Sequence, residues 1–244
     1  MLRNFFRRIM QVKPLVKNLL RFTNSSQIYL LSVLLIAFLL AFLASISLGS
    51  FNFSVLELFN SSKTSLHATV LYEIRIPRVI LAAFVGASLG LSGASLQGLF
   101  RNPLADPGLI GVSAGAALGA SIIIVLGSSL FPGFIFGAFI LPIAAICGAA
   151  LVISLLYVFT RGFGYQGITY MLLVGIAVNA FASVGIGILT YISSDSELRG
   201  LTFWTMGSFG GASWYLILPA IIVISLSMFW MIPSSRKLDL LQLG

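Results

Sequence analysis

Long apolar runs separated by short polar segments dominate the hydrophobic pattern of this 244-residue chain. Each run approaches the ~20 residues that an α-helix needs to cross the hydrocarbon core of a bilayer. The chain is therefore predicted to be all-α, a polytopic transmembrane helical bundle, with a basic segment 1–27 before a membrane domain 28–244. The predicted spans are 28–48, 77–100, 107–127, 134–160, 168–192 and 214–232.

Composition agrees with this pattern and excludes several kinds of site. Hydrophobic residues make up 59% of the chain, charged residues only 8%, and the mean hydropathy is +1.07. The single cysteine and the single histidine exclude a disulfide framework and a multi-histidine metal or catalytic cluster. The phosphate-binding pattern GxxxxGK[ST] does not occur, so this chain is not expected to bind ATP through such a loop.

The positive charges report topology rather than nucleic-acid binding. If the N-terminus is cytoplasmic, ten of the 14 Lys and Arg residues fall on the cytoplasmic side and four on the outer side. This bias is the one that the positive-inside rule expects, and it places both termini in the cytoplasm. The first apolar run is too long for a signal peptide and is interpreted as a retained span. The outer four are Lys63, Arg75, Arg78 and Arg199.

One cytoplasmic break, within LFRNPLADPGLIGVSAGAALGA (99–120), interrupts the apolar pattern with polar residues and prolines. Asp106 followed by Pro107 is typical of an N-cap and a first helical position, so these two residues are predicted to start the third span. Glycines at four-residue spacing then follow, and a second set lies in the second span. Both sets are predicted to allow close helix packing, and lining of a transport pathway is the alternative. The first set is Gly111, Gly115 and Gly119, and the second is Gly86 and Gly90.

Two outer segments carry candidate functional residues. Arg75 and Arg78, three apart, fall on one helix face, where they either anchor a helix end or receive carboxylates from a soluble partner. The segment 194–211 mixes charge, aromatic residues and glycine. It is interpreted as part of an interfacial aromatic belt, with a re-entrant or surface helix that contacts a partner as the alternative.

The predicted spans contain no convincing ionisable residue. Gln97 and Asn179 are the main polar candidates, and interhelical hydrogen bonds are their simplest explanation. Ion-coupled carriers usually have an intramembrane Asp, Glu or His. A channel or an ion-coupled carrier is therefore disfavoured, and energy coupling is expected to come from outside this chain.

Two separated motifs carry a resemblance to a known family. The stretch RIPRVILAAFVGASLGLSGASLQGLFRNPLADPGLIGVSAGAALGA resembles the signature region of the FecCD-type permeases of ATP-binding-cassette importers, and FWTMGSFGGASW resembles a second block. Members carry iron-siderophores, haem and vitamin B12. The chain is most similar in appearance to the haem permeases; siderophore and vitamin B12 permeases are the alternatives.

The resemblance implies a multi-pass inner-membrane permease that does no covalent chemistry and holds no cofactor or metal. The implied partners are a second copy, two ATPase subunits that bind ATP and Mg, and a periplasmic binding protein whose glutamates meet Arg75 and Arg78. It also implies a cytoplasmic gate formed by Asn102, Pro103 and Leu104 with a second element at Ile168 and Thr169.

Members of the family have ten spans, and their coupling helices follow the segment that matches LDLLQLG (238–244). The chain stops there, so the permease domain 28–244 is expected to be incomplete at its C-terminus. The rival hypothesis is a shortened membrane protein that does not transport.

Overall fold

The computed structural model describes residues 25–48, 69–130, 137–162, 167–235 and 237–238. Most of the predicted basic segment, and the LDLLQLG segment after Leu238, lie outside the described residues. Seven α-helices occur in the described part: α1 Ser25–Ser47, α2 Ile76–Phe100, α3 Val112–Leu130, α4 Ile140–Thr160, α5 Gly167–Ile192, α6 Asp195–Met206 and α7 Trp214–Met231. A π-helical turn, Val70–Arg75, leads into α2, and 3₁₀ turns form at Pro107–Ile110 and Ile232–Ser234.

Five helical segments are long and apolar enough to cross a membrane, and each coincides with a predicted span. They contain α1, α2, α4, α5 and α7. The third predicted span differs from the prediction at its start, because helix α3 begins only at Val112 rather than at residue 107. At about 1.5 Å per residue the 19 residues of α3 extend about 28 Å, close to the hydrocarbon thickness.

Residues 1–79 and 80–244 form two compact units, and α2 begins in the first and continues into the second. In the first unit, Ile46 at the end of α1 packs with Leu71 of the π-helical turn and Val79 of α2. The π-helical turn lies just before Pro77, whose ring would crowd the carbonyl four residues earlier in a regular helix. Its wide hydrogen bond, from the Ile76 N–H to the Leu71 carbonyl, spans five residues and relieves that crowding.

In the second unit, α3 packs against α4 and α5 through small residues. Methyl groups added at Gly115 and Gly119 of α3 would meet the carbonyls of Gly148 and Ala144, so these helices cross in antiparallel directions. Gly111 meets Val178, and Leu118 meets Gly185, so α3 and α5 run parallel. Successive spans thus alternate in direction, as a chain that crosses the membrane repeatedly requires.

The second predicted glycine set does not pack in this way. A methyl group added at Gly86 or Gly90 would have no heavy atom within 4 Å, and the same holds for Gly93. The four-residue spacing permits close approach, but no neighbouring element in the described residues uses this face of α2. Close packing at Gly86 and Gly90 therefore has no partner among the described residues and stays a prediction.

Candidate gate and docking residues

The polar break begins where α2 ends at Phe100. Arg101 adopts a left-handed conformation, with φ of 51°, which is uncommon for a residue other than glycine. The N–H of Asn102 donates to the Gln97 carbonyl at 3.2 Å, and the N–H of Arg101 donates to the Gly98 carbonyl at 3.4 Å. This is the Schellman pattern of a helix C-terminus, with arginine where glycine is usual.

The predicted first gate segment, residues 102–104, follows immediately. The Oδ1 of Asn102 accepts a hydrogen bond from the Leu104 N–H at 2.9 Å, which closes a tight side-chain turn across Pro103. Leu104 is 84% exposed. The predicted interhelical role of Gln97 does not appear, since its side chain is exposed and lines an open cleft of about 510 Å³. The cleft is bounded by Ala94, Gln97, Gly98, Arg101, Asn102 and Pro103.

Asp106 and Pro107 start a helical segment, but not the one that was predicted. The Oδ1 of Asp106 accepts from the Gly108 N–H at 2.6 Å, and Pro107 is the first residue of the 3₁₀ turn 107–110. That turn ends at Gly111, where φ is 79°. Only then does α3 begin. The prediction that Asp106 and Pro107 start the third span is corrected to a single capped turn before it.

The second predicted gate element lies in the first turn of α5, where Ile168 is half-buried and Thr169 is exposed. Helix α5 also holds the 3₁₀ turn. The Nδ2 of Asn179 donates to the carbonyls of Gly108 and Leu109, at 3.0 and 3.5 Å. A methyl group added at Gly175 would be 2.7 Å from the Cα of Ile110, so only glycine lets the turn approach this closely.

Asn179 was identified from the sequence as an intramembrane polar residue, but its partners could not be identified. They are backbone carbonyls about 70 residues earlier in the chain, and no side-chain pattern marks them. The tight fit at Gly175 was missed altogether. A glycine four residues before an intramembrane asparagine is a usable signal, because both place a polar, closely approachable surface on one helix face.

The predicted docking arginines differ in their surroundings. Arg75, at the end of the π-helical turn, is half-buried, and its Nη1 donates to the carbonyls of Ile46 and Ser47 at 2.9 and 3.3 Å. These carbonyls belong to the last turn of α1, whose acceptors lack partners within the helix. Arg78, one turn into α2, is exposed. Arg75 thus caps α1, which matches the helix-anchoring alternative, and Arg78 presents its guanidinium outward.

The outer segment after α5 forms the short helix α6. Its start is capped by Glu197, whose carboxylate accepts from the Ser194 N–H at 2.8 Å. Leu201 is buried with Val125 of α3 and Leu189 of α5. Phe203 and Met206 are 66% and 77% exposed on the same helix. Residues 195–206 of the segment therefore form a surface helix that packs on α3 and α5, and contact of this helix with a partner stays a prediction.

The chain is similar in sequence to known membrane permeases. The hemin transport system permease protein HmuU of Yersinia pestis is 40% identical over 216 residues, which cover 86% of this chain and 64% of that relative. The vitamin B12 import system permease protein BtuC of Klebsiella pneumoniae subsp. pneumoniae is 37% identical over 174 residues, 71% of this chain and 50% of that relative. The chain thus spans between half and two thirds of the length of these relatives.

A solved structure described as an inward-facing metal-chelate type ABC transporter superimposes with a TM-score of 0.74 at 28% identity. The match covers 88% of this chain and 65% of that chain. The model of the FecCD transport family matches residues 34–244, which include every described helix from α2 onward and most of α1. By this match, and by its apolar helices, the chain is a multi-pass inner-membrane protein that belongs to the FecCD transport family.

Proposed function

We propose that this chain is the permease subunit of an ATP-binding-cassette importer that carries haem from the periplasm to the cytoplasm. The observation that carries the choice of haem is the 40% identity to a hemin permease over 86% of the chain. Vitamin B12 permeases match a shorter stretch at 37–38% identity. The proposed partners are a second copy of the chain, two ATPase subunits that hold ATP and Mg, and a periplasmic binding protein.

In the proposed mechanism the chain does no covalent chemistry and alternates between two accessible states. Carboxylates of the loaded binding protein meet Arg78 and the part of Arg75 that capping leaves accessible, because guanidinium groups pair well with carboxylates. ATP-driven closure of the ATPases then shifts the helices. The gate formed by residues 102–104 with Ile168 and Thr169 opens inward, and the chelate leaves on the cytoplasmic side.

The proposal is tested by deleting the gene in its own host and offering haem as the only iron source. Growth and uptake of labelled haem are expected to fail. A plasmid that carries the gene with the full reading frame found in the chromosome should restore both. Uptake of labelled vitamin B12 and of a ferric siderophore serves as the control. Loss of vitamin B12 uptake with intact haem uptake would indicate that the transported ligand is a corrinoid, as for the vitamin B12 permeases among the relatives.

Co-purification distinguishes a transporter from a membrane protein that does not transport. Chain extracted in mild detergent is expected to bring an ATPase subunit with it in a defined ratio. Absence of any ATPase, together with intact uptake of all three ligands in the deletion strain, would overturn the importer proposal.

A further inference from the structure

The polar break lies deep along α5 rather than at its end. Helix α5 has 26 residues and is about 39 Å long. Asn179 comes 12 residues after its first residue, Gly167, and so lies about 18 Å along the helix. The 3₁₀ turn that contacts Gly175 and Asn179 is therefore held beside the middle of a membrane-spanning helix.

This depth explains why α3 starts later than predicted. Because α3 and α5 run parallel and Gly111 meets Gly175 and Val178, α3 starts about 12 Å or more beyond the start of α5. The chain covers the missing part of the crossing as the irregular segment 101–111. Its left-handed Arg101 and Gly111, and its single 3₁₀ turn, are the departures from helix that this path requires.

Irregular backbone at membrane depth needs partners, because lipid offers none. Such backbone is tolerated only where it is buried in protein or lines a water-filled cavity. The Gly108 carbonyl accepts from the Gly111 N–H within the turn and from the amide of Asn179, and the Leu109 carbonyl accepts from the same amide. Arg101, Asn102 and Asp106 are exposed on the same segment, so that side faces water or a partner protein rather than lipid.

We infer that Asn179 is a positioning residue: by holding the 3₁₀ turn 107–110 against α5, it fixes the position of the first gate segment, which ends three residues before that turn. Helix α5 carries the second gate element, Ile168 and Thr169, in its first turn. With the 3₁₀ turn clasped by Asn179 and seated in the gap at Gly175, both gate elements are attached to one helix and move together as a single body. The role of this contact in gating rests on the proposed function. The contact itself, the hydrogen bonds from Asn179 to the 3₁₀ turn that we call the clasp, does not depend on that function.

The key variant is Asn179→Leu, which keeps the approximate size of the side chain and removes its N–H donors. Asn179→Asp keeps size and polarity, and its ionised carboxylate has no donor, so exchange is compared at a pH where the carboxyl is ionised. Ser183→Ala is the matched control, because Ser183 lies one turn away on α5 and its hydroxyl donates only to the Asn179 backbone carbonyl within the same helix.

The first readout is hydrogen exchange of the peptide 105–112 in the purified, natively assembled protein. The N–H groups of Leu109 and Gly111 are protected by bonds within the turn, to Asp106 and Gly108. Loss of the Asn179 hydrogen bonds is expected to raise their exchange about tenfold in both Asn179 variants, since the turn loses the side-chain bonds that hold it against α5. Ser183→Ala should exchange as the wild type does. Unchanged exchange in Asn179→Leu, or an equal rise in Ser183→Ala, would overturn the clasp.

The second readout follows the two gate elements separately. In a Cys147→Ala background, Leu104→Cys and Thr169→Cys are labelled with a membrane-impermeant maleimide from the cytoplasmic side, without nucleotide and with trapped ATP. With Asn179 present, the two labelling rates are expected to respond to ATP together. With Asn179→Leu, Thr169→Cys should keep its response and Leu104→Cys should lose it.

The outcomes of the second readout separate the two proposals. Loss of both responses in Asn179→Leu would indicate general damage, and retention of both would show that the gate elements do not depend on the clasp; either result overturns the positioning role. If ATP changes neither rate when Asn179 is present, the importer function fails, and the exchange measurement still decides whether the clasp exists.

Discussion

Helices α2 and α3 flank the same polar break and both carry glycines at four-residue spacing, yet they use them differently. On α3, Gly115 and Gly119 lie against the backbone of α4, at Gly148 and Ala144. On α2, Gly86 and Gly90 have open space where a side chain would project. The spacing shows that a backbone can be approached closely. Whether it is approached depends on the neighbouring element, which the spacing does not encode.

The largest expected effect tests that contrast directly. Gly115→Ala would bring its methyl group 2.8 Å from the Gly148 carbonyl oxygen and into the Val152 side chain. Since the nearest atoms include backbone, the helices must separate, and we expect a loss of about 1–3 kcal/mol in stability. Gly86→Ala is expected to be neutral or to stabilise α2 by up to about 1 kcal/mol. The apparent Tm of each purified variant in the same detergent measures the difference.

Equal loss in the two variants would break the contrast. It would mean that Gly86 is in close contact within the folded chain, with residues outside the described ranges. Repeating the Gly86→Ala measurement on protein still bound to its partners tests a different case, because a glycine covered only by a partner would weaken the assembly and not the isolated chain.

A smaller effect concerns how α2 is held at its start. Arg75→Ala removes the hydrogen bonds to the carbonyls of Ile46 and Ser47, and we expect it to lower stability by about 1–2 kcal/mol, because the donor is charged. Arg78→Ala should leave stability within about 0.5 kcal/mol, as for an exposed substitution. Both variants, and above all the double reversal Arg75→Glu with Arg78→Glu, should weaken docking of the binding protein.

Thermal unfolding and a detergent pull-down with the binding protein measure these two properties separately. Arg78→Ala is the matched control for capping, since it removes the same kind of charge at an exposed position three residues away. Unchanged docking in the double reversal would exclude the docking role. Wild-type stability in Arg75→Ala would show that the C-terminal carbonyls of α1 find other donors.

The spans were predictable from the sequence because a bilayer imposes a length on any apolar helix. Helices α1, α4, α5 and α7 begin or end within a few residues of the predicted bounds. Helix α2, Ile76–Phe100, also matches its predicted span 77–100. The π-helical turn before it, which accommodates Pro77, was not predictable, since it has no sequence signature of its own.

The polar break was predicted as a cytoplasmic turn, but its depth along the membrane-spanning helix α5 was not predicted. The Asp106–Pro107 pair shows where a helical segment starts but not how long it lasts, and Gly111 looked like a member of the packing stripe. Its positive φ ends the 3₁₀ turn, although Gly111 also packs against α5. What sets the depth is the contact of the turn with Gly175 and Asn179, which joins residues far apart in the chain and therefore depends on the tertiary fold.

The smallest expected effect concerns the end of α2. Arg101 occupies the left-handed position of a Schellman motif, which disfavours a residue with a Cβ by about 1–2 kcal/mol. Arg101→Gly is therefore expected to raise stability by about 0.5–1 kcal/mol, after allowance for the greater chain entropy of unfolded glycine.

The same substitution removes a positive charge from the cleft beside Gln97 and Asn102. If the arginine side chain serves transport there, haem uptake should fall while the apparent Tm rises. A rise in Tm with full uptake would show that the side chain has no part in transport. The arginine would then contribute only a positive charge to the cytoplasmic side, at a small loss of stability.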